Sequence, residues 1–163
     1  MGAEVSILYV EDEAVLREEM ALYLGKIFKD IRIYPDGEQG LQGYNERPAD
    51  IIITDILTPK LNGIEMLQAI KEISPFQEMI ITSAYTESTY FIDAIKLGID
   101  AYIIKPIDHA QIIEVLYKTV LKIHQARENE EYRRHLETLV ATKVEEFKEL
   151  EEEKILNYEK TLL

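Results

Sequence analysis

The stretch DIIITDILTPKLNG, residues 50–63, runs four apolar or β-branched residues straight into a carboxylate, Asp55. Alone, such a residue reads as a turn former, because aspartate side chains hydrogen-bond nearby backbone N–H groups after a strand. Three further places bear on it. Glu11, Asp12 and Glu13 follow one apolar run, Thr82 and Ser83 follow another, and Lys105 stands before Pro106 at the end of a third. Each also has an ordinary role open to it: acids begin helices well, where they meet the positive dipole end, serines cap turns, and lysines sit in solvated loops. Brought together they do chemistry. Clustered carboxylates repel one another unless a cation neutralises them, and an oxygen site with few carboxylates and room for water suits Mg²⁺ held together with a phosphate. A carboxylate is also a nucleophile that forms an aspartyl phosphate, a transfer that needs mainly positioning and neutralisation of the equatorial oxygens. Mg²⁺ on one oxygen, the Lys105 ammonium on a second and the Ser83 hydroxyl on a third would complete that arrangement.

The elements that must bring these residues together are legible as apolar runs of strand length at 5–10, 31–34, 50–54, 78–82 and 101–105. Between them apolar residues recur at threes and fours: Ala14, Leu16, Met20, Leu24 and Ile27; Ile64, Leu67, Ile70 and Ile73; Phe91, Ala94, Ile95 and Leu97. Five alternations of strand and helix predict an α/β fold, a doubly wound five-stranded parallel sheet covered on both faces, which is why the central strands are solidly apolar. Gly98 stands where a helix would end. In open sheets of this kind ligands bind outside the carboxyl ends of the strands, and the acids, Ser83 and Lys105 all fall at such ends.

Composition narrows the function. The 163 residues contain no cysteine, which removes disulfides, thiolate nucleophiles and cysteine metal sites. The three histidines, His109, His124 and His135, have no zinc-site spacing. A net charge of −13 argues against nucleic acid as a direct partner, because affinity there comes from cations on phosphates. No window approaches the length of a membrane span, and Glu4 precedes any apolar run, so a cytoplasmic protein is expected, with neither a signal peptide nor a membrane partner.

These four segments, in order and at these separations, resemble the receiver domain of two-component response regulators, of the kind found in chemotaxis regulators: ILYVEDE, IIITDILTPKLNG, IIITSAY and AYIIKPI. The likeness covers about residues 4–122. It implies that Asp55 is the phosphoacceptor, that Glu11 and Asp12 organise Mg²⁺ together with Asp55 and the backbone carbonyl of Leu57, and that Ser83 and Lys105 hold the phosphoryl group. Tyr102 would be the aromatic switch that follows Ser83, and Pro106 would follow a cis peptide bond. A sensor histidine kinase or phosphotransfer protein would be the donor. Leu57 and Tyr85 fall at the positions where the family tunes access of water to the phosphoryl group, and two bulky residues there predict a slowly hydrolysed phosphoryl state. Thr58 departs from the family's usual methionine before proline. As a regulatory domain it would be no enzyme beyond its own phosphorylation and dephosphorylation. Two alternatives stand beside this reading: a degenerate receiver used for docking or dimerisation, and an Asp-nucleophile phosphohydrolase. The second requires an acid two residues after the nucleophile, where Leu57 stands.

Past residue 122 the pattern changes. From 121 to 163 there is neither Gly nor Pro, and 19 of 43 residues are charged, 11 acidic and 8 basic, so residues 123–163 are expected to form a helical linker. Leu116, Val120 and Ile123 make one apolar seam, and Leu136, Val140, Phe147 and Leu150 another, with Lys143 between them and the polar HQARENEE separating the two. A parallel coiled-coil homodimer with a register break, built on helix five and this tail, is expected. The apolar pattern restarting in EKILNYEKTLL suggests a longer protein with a further output domain, and a signalling helix leaving helix five resembles regulators that end in cyclic-di-GMP enzymes or kinase modules.

Overall fold

A computed structural model of the chain describes residues 5–84 and 88–162. Five strands, β1 (Ser6–Val10), β2 (Asp30–Tyr34), β3 (Ile51–Asp55), β4 (Glu78–Ser83) and β5 (Ala101–Ile104), alternate with five helices, α1 (Ala14–Gly25), α2 (Gly37–Glu46), α3 (Gly63–Ile73), α4 (Ser88–Leu97) and α5 (His109–Leu162). All strand pairs are parallel, in the order β2-β1-β3-β4-β5. The chain thus winds outward from β1 to one edge, returns to β3 and winds to the other, so that β1 and β3 lie side by side where the winding reverses. The crevice at that switch point lies between the ends that carry Glu11, Asp12 and Asp55.

Alternate residues of each strand serve opposite faces. Leu8, Val10, Ile52 and Ile81 share one core with Tyr44 of α2, Met66, Leu67 and Ile70 of α3, and Ala94 and Leu97 of α4. Ile7, Tyr9, Ile51, Ile53 and Ile80 are equally buried on the other side, as are Met20 and Leu24 of α1 and Ile112, Leu116 and Val120 of α5. Every residue of β3 is buried, Asp55 included. Gly98 ends α4 with φ +74°, a conformation that side chains resist.

The Asn62-Gly63 pair begins α3: the Asn62 side chain accepts from Glu65 N at 2.9 Å and donates to Glu65 Oε1, a reciprocal cap. One local reading differs from the periodicity. In α4, Ala94 and Leu97 are buried while Phe91 and Ile95 face solvent, because the apolar stripe is wider than the sheet edge that it covers. The chain divides into two compact units, Met1–Lys122 and Ile123–Leu163. The second, within the described residues, is a single continuous helix whose side chains from Glu131 onward are exposed. No helix among the described residues is long and apolar enough to cross a membrane.

Candidate functional site

The acidic residues lie ahead of α1 and outside it. The helix begins at Ala14 and Glu13 caps it through backbone alone, which leaves Glu11 and Asp12 in the loop at the carboxyl end of β1. Arg17, one turn into α1, donates to the carbonyls of Glu11 at 2.8 Å and Asp12 at 3.2 Å. That holds the loop in a conformation that turns both acids toward β3. One carboxylate oxygen from each of Glu11, Asp12 and Asp55 lies within 4.8 Å of the others.

Lys105, just past β5, completes the cluster. Its Nζ donates to Glu11 Oε2 at 2.7 Å and to Asp55 Oδ2 at 2.8 Å. Its backbone N–H donates to the Ser83 carbonyl at 2.8 Å, and the Lys105-Pro106 peptide bond is cis. Asp55 Oδ1 accepts from Leu57 N at 3.4 Å, and Leu57 is 38 % exposed above the cleft. Thr58 is buried and donates to the Leu61 carbonyl at 2.7 Å, so the hydroxyl fixes the loop that follows the carboxylate. Ser83 is fully buried at the end of β4, one residue beyond Thr82, which pairs in register with Asp55. Tyr102 lies on β5 apart from the acids, its ring edge-on to Phe91 at 5.4 Å between centroids. Tyr85 lies outside the described residues.

Burial pushes the Glu11 carboxyl above the usual carboxylate range, and the hydrogen bond and charge of Lys105 offset only part of this. Burial pulls Lys105 down, but its bonds to Asp55 and Glu11 outweigh that and hold the ammonium charged. Three carboxyl groups thus face a single ammonium, more acid than that one cation answers. A divalent cation fits that donor set: two buried carboxylates, one exposed acid at the rim and no sulfur or imidazole.

Reasoning from sequence missed two contributors. Arg17 carries no motif signal; only its position one turn past the acids would have marked it. Tyr9 lies buried beneath the cluster, its hydroxyl kept protonated by burial and by the negative charge of Glu11 and Asp55, with no partner among the described residues.

A family model for the response regulator receiver domain matches residues 7–117. The chemotaxis protein CheY of Bacillus subtilis is 32 % identical over 115 residues, 70 % of this chain and 96 % of that protein. The transcriptional regulatory protein CseB of Streptomyces avermitilis is 30 % identical over 113 residues, and there the match spans 48 % of the relative's length. Among solved structures, the N-terminal domain of an uncharacterized protein from Wolinella succinogenes superposes with a TM-score of 0.71 at 36 % identity, over 76 % of this chain and 98 % of that one. The acidic pocket, the strand order and these likenesses coincide on the same residues, and the chain belongs to the response regulator receiver domain family of two-component signalling.

Proposed function

We propose that this chain is a phosphorylation-activated switch in which Asp55 accepts a phosphoryl group from the phosphohistidine of a sensor histidine kinase or phosphotransfer protein. The observation that carries this reading is the Lys105 ammonium, bonded at once to Asp55 and Glu11 beside the exposed Asp12. In the transfer, the P–N bond of the donor breaks as a bond forms between phosphorus and an Asp55 carboxylate oxygen, and the imidazole leaves. Glu11, Asp12, Asp55 and the Leu57 carbonyl would hold Mg²⁺, which supplies positive charge to a phosphoryl oxygen. Lys105 turns from a partner of two carboxylates into a partner of the phosphoryl group, and the Ser83 hydroxyl takes another oxygen.

Phosphorylation adds about one unit of negative charge and strong acceptor oxygens at the pocket. Ser83 and Tyr102 shift together in response, and the face formed by α4, β5 and the first part of α5 is the surface altered. Coupling energies of such switches are ~1–3 kcal/mol, enough for ~5- to 150-fold in an equilibrium. We assign residues 1–122 to the receiver and 123–163 to a helical linker that pairs two copies and leads to an output partner. The domain is cytoplasmic and regulatory, with no turnover beyond its own phosphoryl group. Leu57, with Tyr85, slows hydrolysis of the phosphoryl state by keeping water from its line of attack.

Fluorine NMR of the chain with Mg²⁺ and beryllofluoride tests the reading. A bound BeF₃⁻ resonance for the native chain, absent in Asp55→Ala, is expected. Equal signals from both chains would contradict it.

A further inference from the structure

The apolar residues of the tail follow a repeat of eleven. Leu136, Phe147 and Tyr158 are spaced by eleven, as are Leu139 and Leu150, and Val144 and Ile155. Val140 and Leu162 are two repeats apart with Glu151 between them, and Lys143 and Lys154 are one repeat apart. Lys154 and Thr161 fall in both frames, but the heptad frame through Leu136, Val140, Phe147 and Leu150 takes the polar Asn157 where the eleven-residue frame takes Tyr158 and then Leu162. Eleven residues make three turns of α-helix plus roughly 20°, a drift opposite in hand to that of a heptad. The eleven-residue frame therefore keeps the apolar residues on one face of a nearly straight helix to residue 162.

All of these apolar residues are exposed in the single chain. The two lysines are answered on their own helix, Lys143 by Glu146 at 3.2 Å and Lys154 by Glu151 at 3.9 Å. The Lys143 stem lies beside Leu139, Val140, Val144 and Phe147, and its charge needs nothing from a partner. From Tyr132 to Leu162 the face is about 45 Å long and offers about ten large apolar side chains. At roughly 50 Å² buried from each, two such helices would cover roughly 1,000 Å², the scale of a specific interface. An identical helix in parallel register sets every apolar layer against its own copy.

We infer that the tail pairs with a second copy of this chain along an eleven-residue repeat, through Leu136, Val140, Phe147, Tyr158 and Leu162, in a straight or slightly right-handed pair and not a left-handed heptad coil. This rests on the self-pairing proposed above and adds its register. Because the chain has no cysteine, single cysteines read that register directly. In the full chain, Tyr158→Cys should form disulfide-linked dimers under mild oxidant at least about fivefold faster than Asn157→Cys, with the molar mass of a dimer in solution. The double variant Phe147→Glu with Tyr158→Glu should have the molar mass of a monomer and still bind beryllofluoride. A dimer that crosslinks faster at 157 than at 158 would overturn the repeat and leave the pairing standing. A native chain that is monomeric at tens of micromolar would overturn both, whatever its binding of beryllofluoride.

Discussion

Lys105 Nζ lies 2.8 Å from Asp55 Oδ2, reaching from the end of β5 across β4 to the end of β3. The strands involved are two ladder steps apart, about 10 Å, a gap that the four-carbon stem of lysine spans. The same ammonium bonds Glu11, so a single cation holds two buried carboxylates. Removing it leaves both unanswered, whereas neutralising Asp55 leaves a balanced Glu11–Lys105 pair. In metal-free buffer, Lys105→Met should lose about 2–4 kcal/mol in urea unfolding, and Asp55→Asn should be neutral or gain up to about 1 kcal/mol. Equal losses in the two variants would contradict this account of the pocket.

Another carboxylate cluster sits at the opposite end of the sheet. Lys122 donates to Glu78 at 3.0 Å and to Asp100 at 2.9 Å. Burial, then the hydrogen bond shared with Asp100, pushes Glu78 up to about 7. Burial also acts to raise Asp100, but hydrogen bonds with Glu78 and Lys122 outweigh it and hold this acid below its usual value. Since Glu78 is raised from 4.5 to about 7, its contribution to stability is full below about pH 4.5 and disappears as the pH climbs to about 7. Asp100 works in the other sense, contributing above its ordinary value and losing that contribution as the pH falls through its lowered one. Because Lys122 approaches from solvent, the Glu78 effect should be about 1 kcal/mol. Melting temperature followed from pH 4.5 to 7 should decline less in Glu78→Gln, which keeps a hydrogen bond without titrating. An unchanged slope in that variant would refute the assignment.

Gly63 begins α3 directly over the carboxyl end of β3. A Cβ there would stand 2.1 Å from the Asp55 carbonyl oxygen, while one on Gly25 would meet nothing within 4 Å. Gly63→Ala should therefore cost about 2–4 kcal/mol by displacing the Asp55 loop. Gly25→Ala should be neutral or stabilise by up to about 1 kcal/mol. Thermal unfolding of the two variants side by side checks the contrast, and a harmless Gly63→Ala would place the helix start elsewhere.

On the proposed reading, the lifetime of the phosphoryl group on Asp55 depends on water reaching it past Leu57. Replacing Leu57 by Asn should speed dephosphorylation about tenfold, equivalent to about 1.4 kcal/mol off the barrier, as read by loss of label after removal of the donor. A lifetime unchanged by Leu57→Asn would remove that residue from the tuning of the reaction.

Much of this was legible in the sequence because the chemistry falls where apolar runs stop. Solid apolar strands imply a covered parallel sheet, and such a sheet gathers its carboxyl ends, so Glu11, Asp12, Asp55, Ser83 and Lys105 fall on one edge. What stayed hidden depends on three-dimensional reach. That Lys105 bonds Glu11 as well as Asp55 follows from side-chain length across the sheet, and no spacing encodes it. Arg17 works through backbone carbonyls, which leave no trace in residue type. Glu78, Asp100 and Lys122 are ordinary surface charges in sequence and become a cluster only when β4, β5 and α5 meet. Phe91 and Ile95 share the period of buried Ala94 and Leu97, since periodicity reports a helix face without reporting how much of it is covered.

Phosphoryl transfer to Asp55 is tested most directly by intact-protein mass spectrometry of the chain after incubation with acetyl phosphate and Mg²⁺, with an excess of chelator in a parallel sample. A single phosphoryl adduct is expected, lost with the chelator, lost in Asp55→Ala, and cleaved by hydroxylamine as an acyl phosphate. No adduct on the native chain, or an adduct that survives in Asp55→Ala, would contradict it.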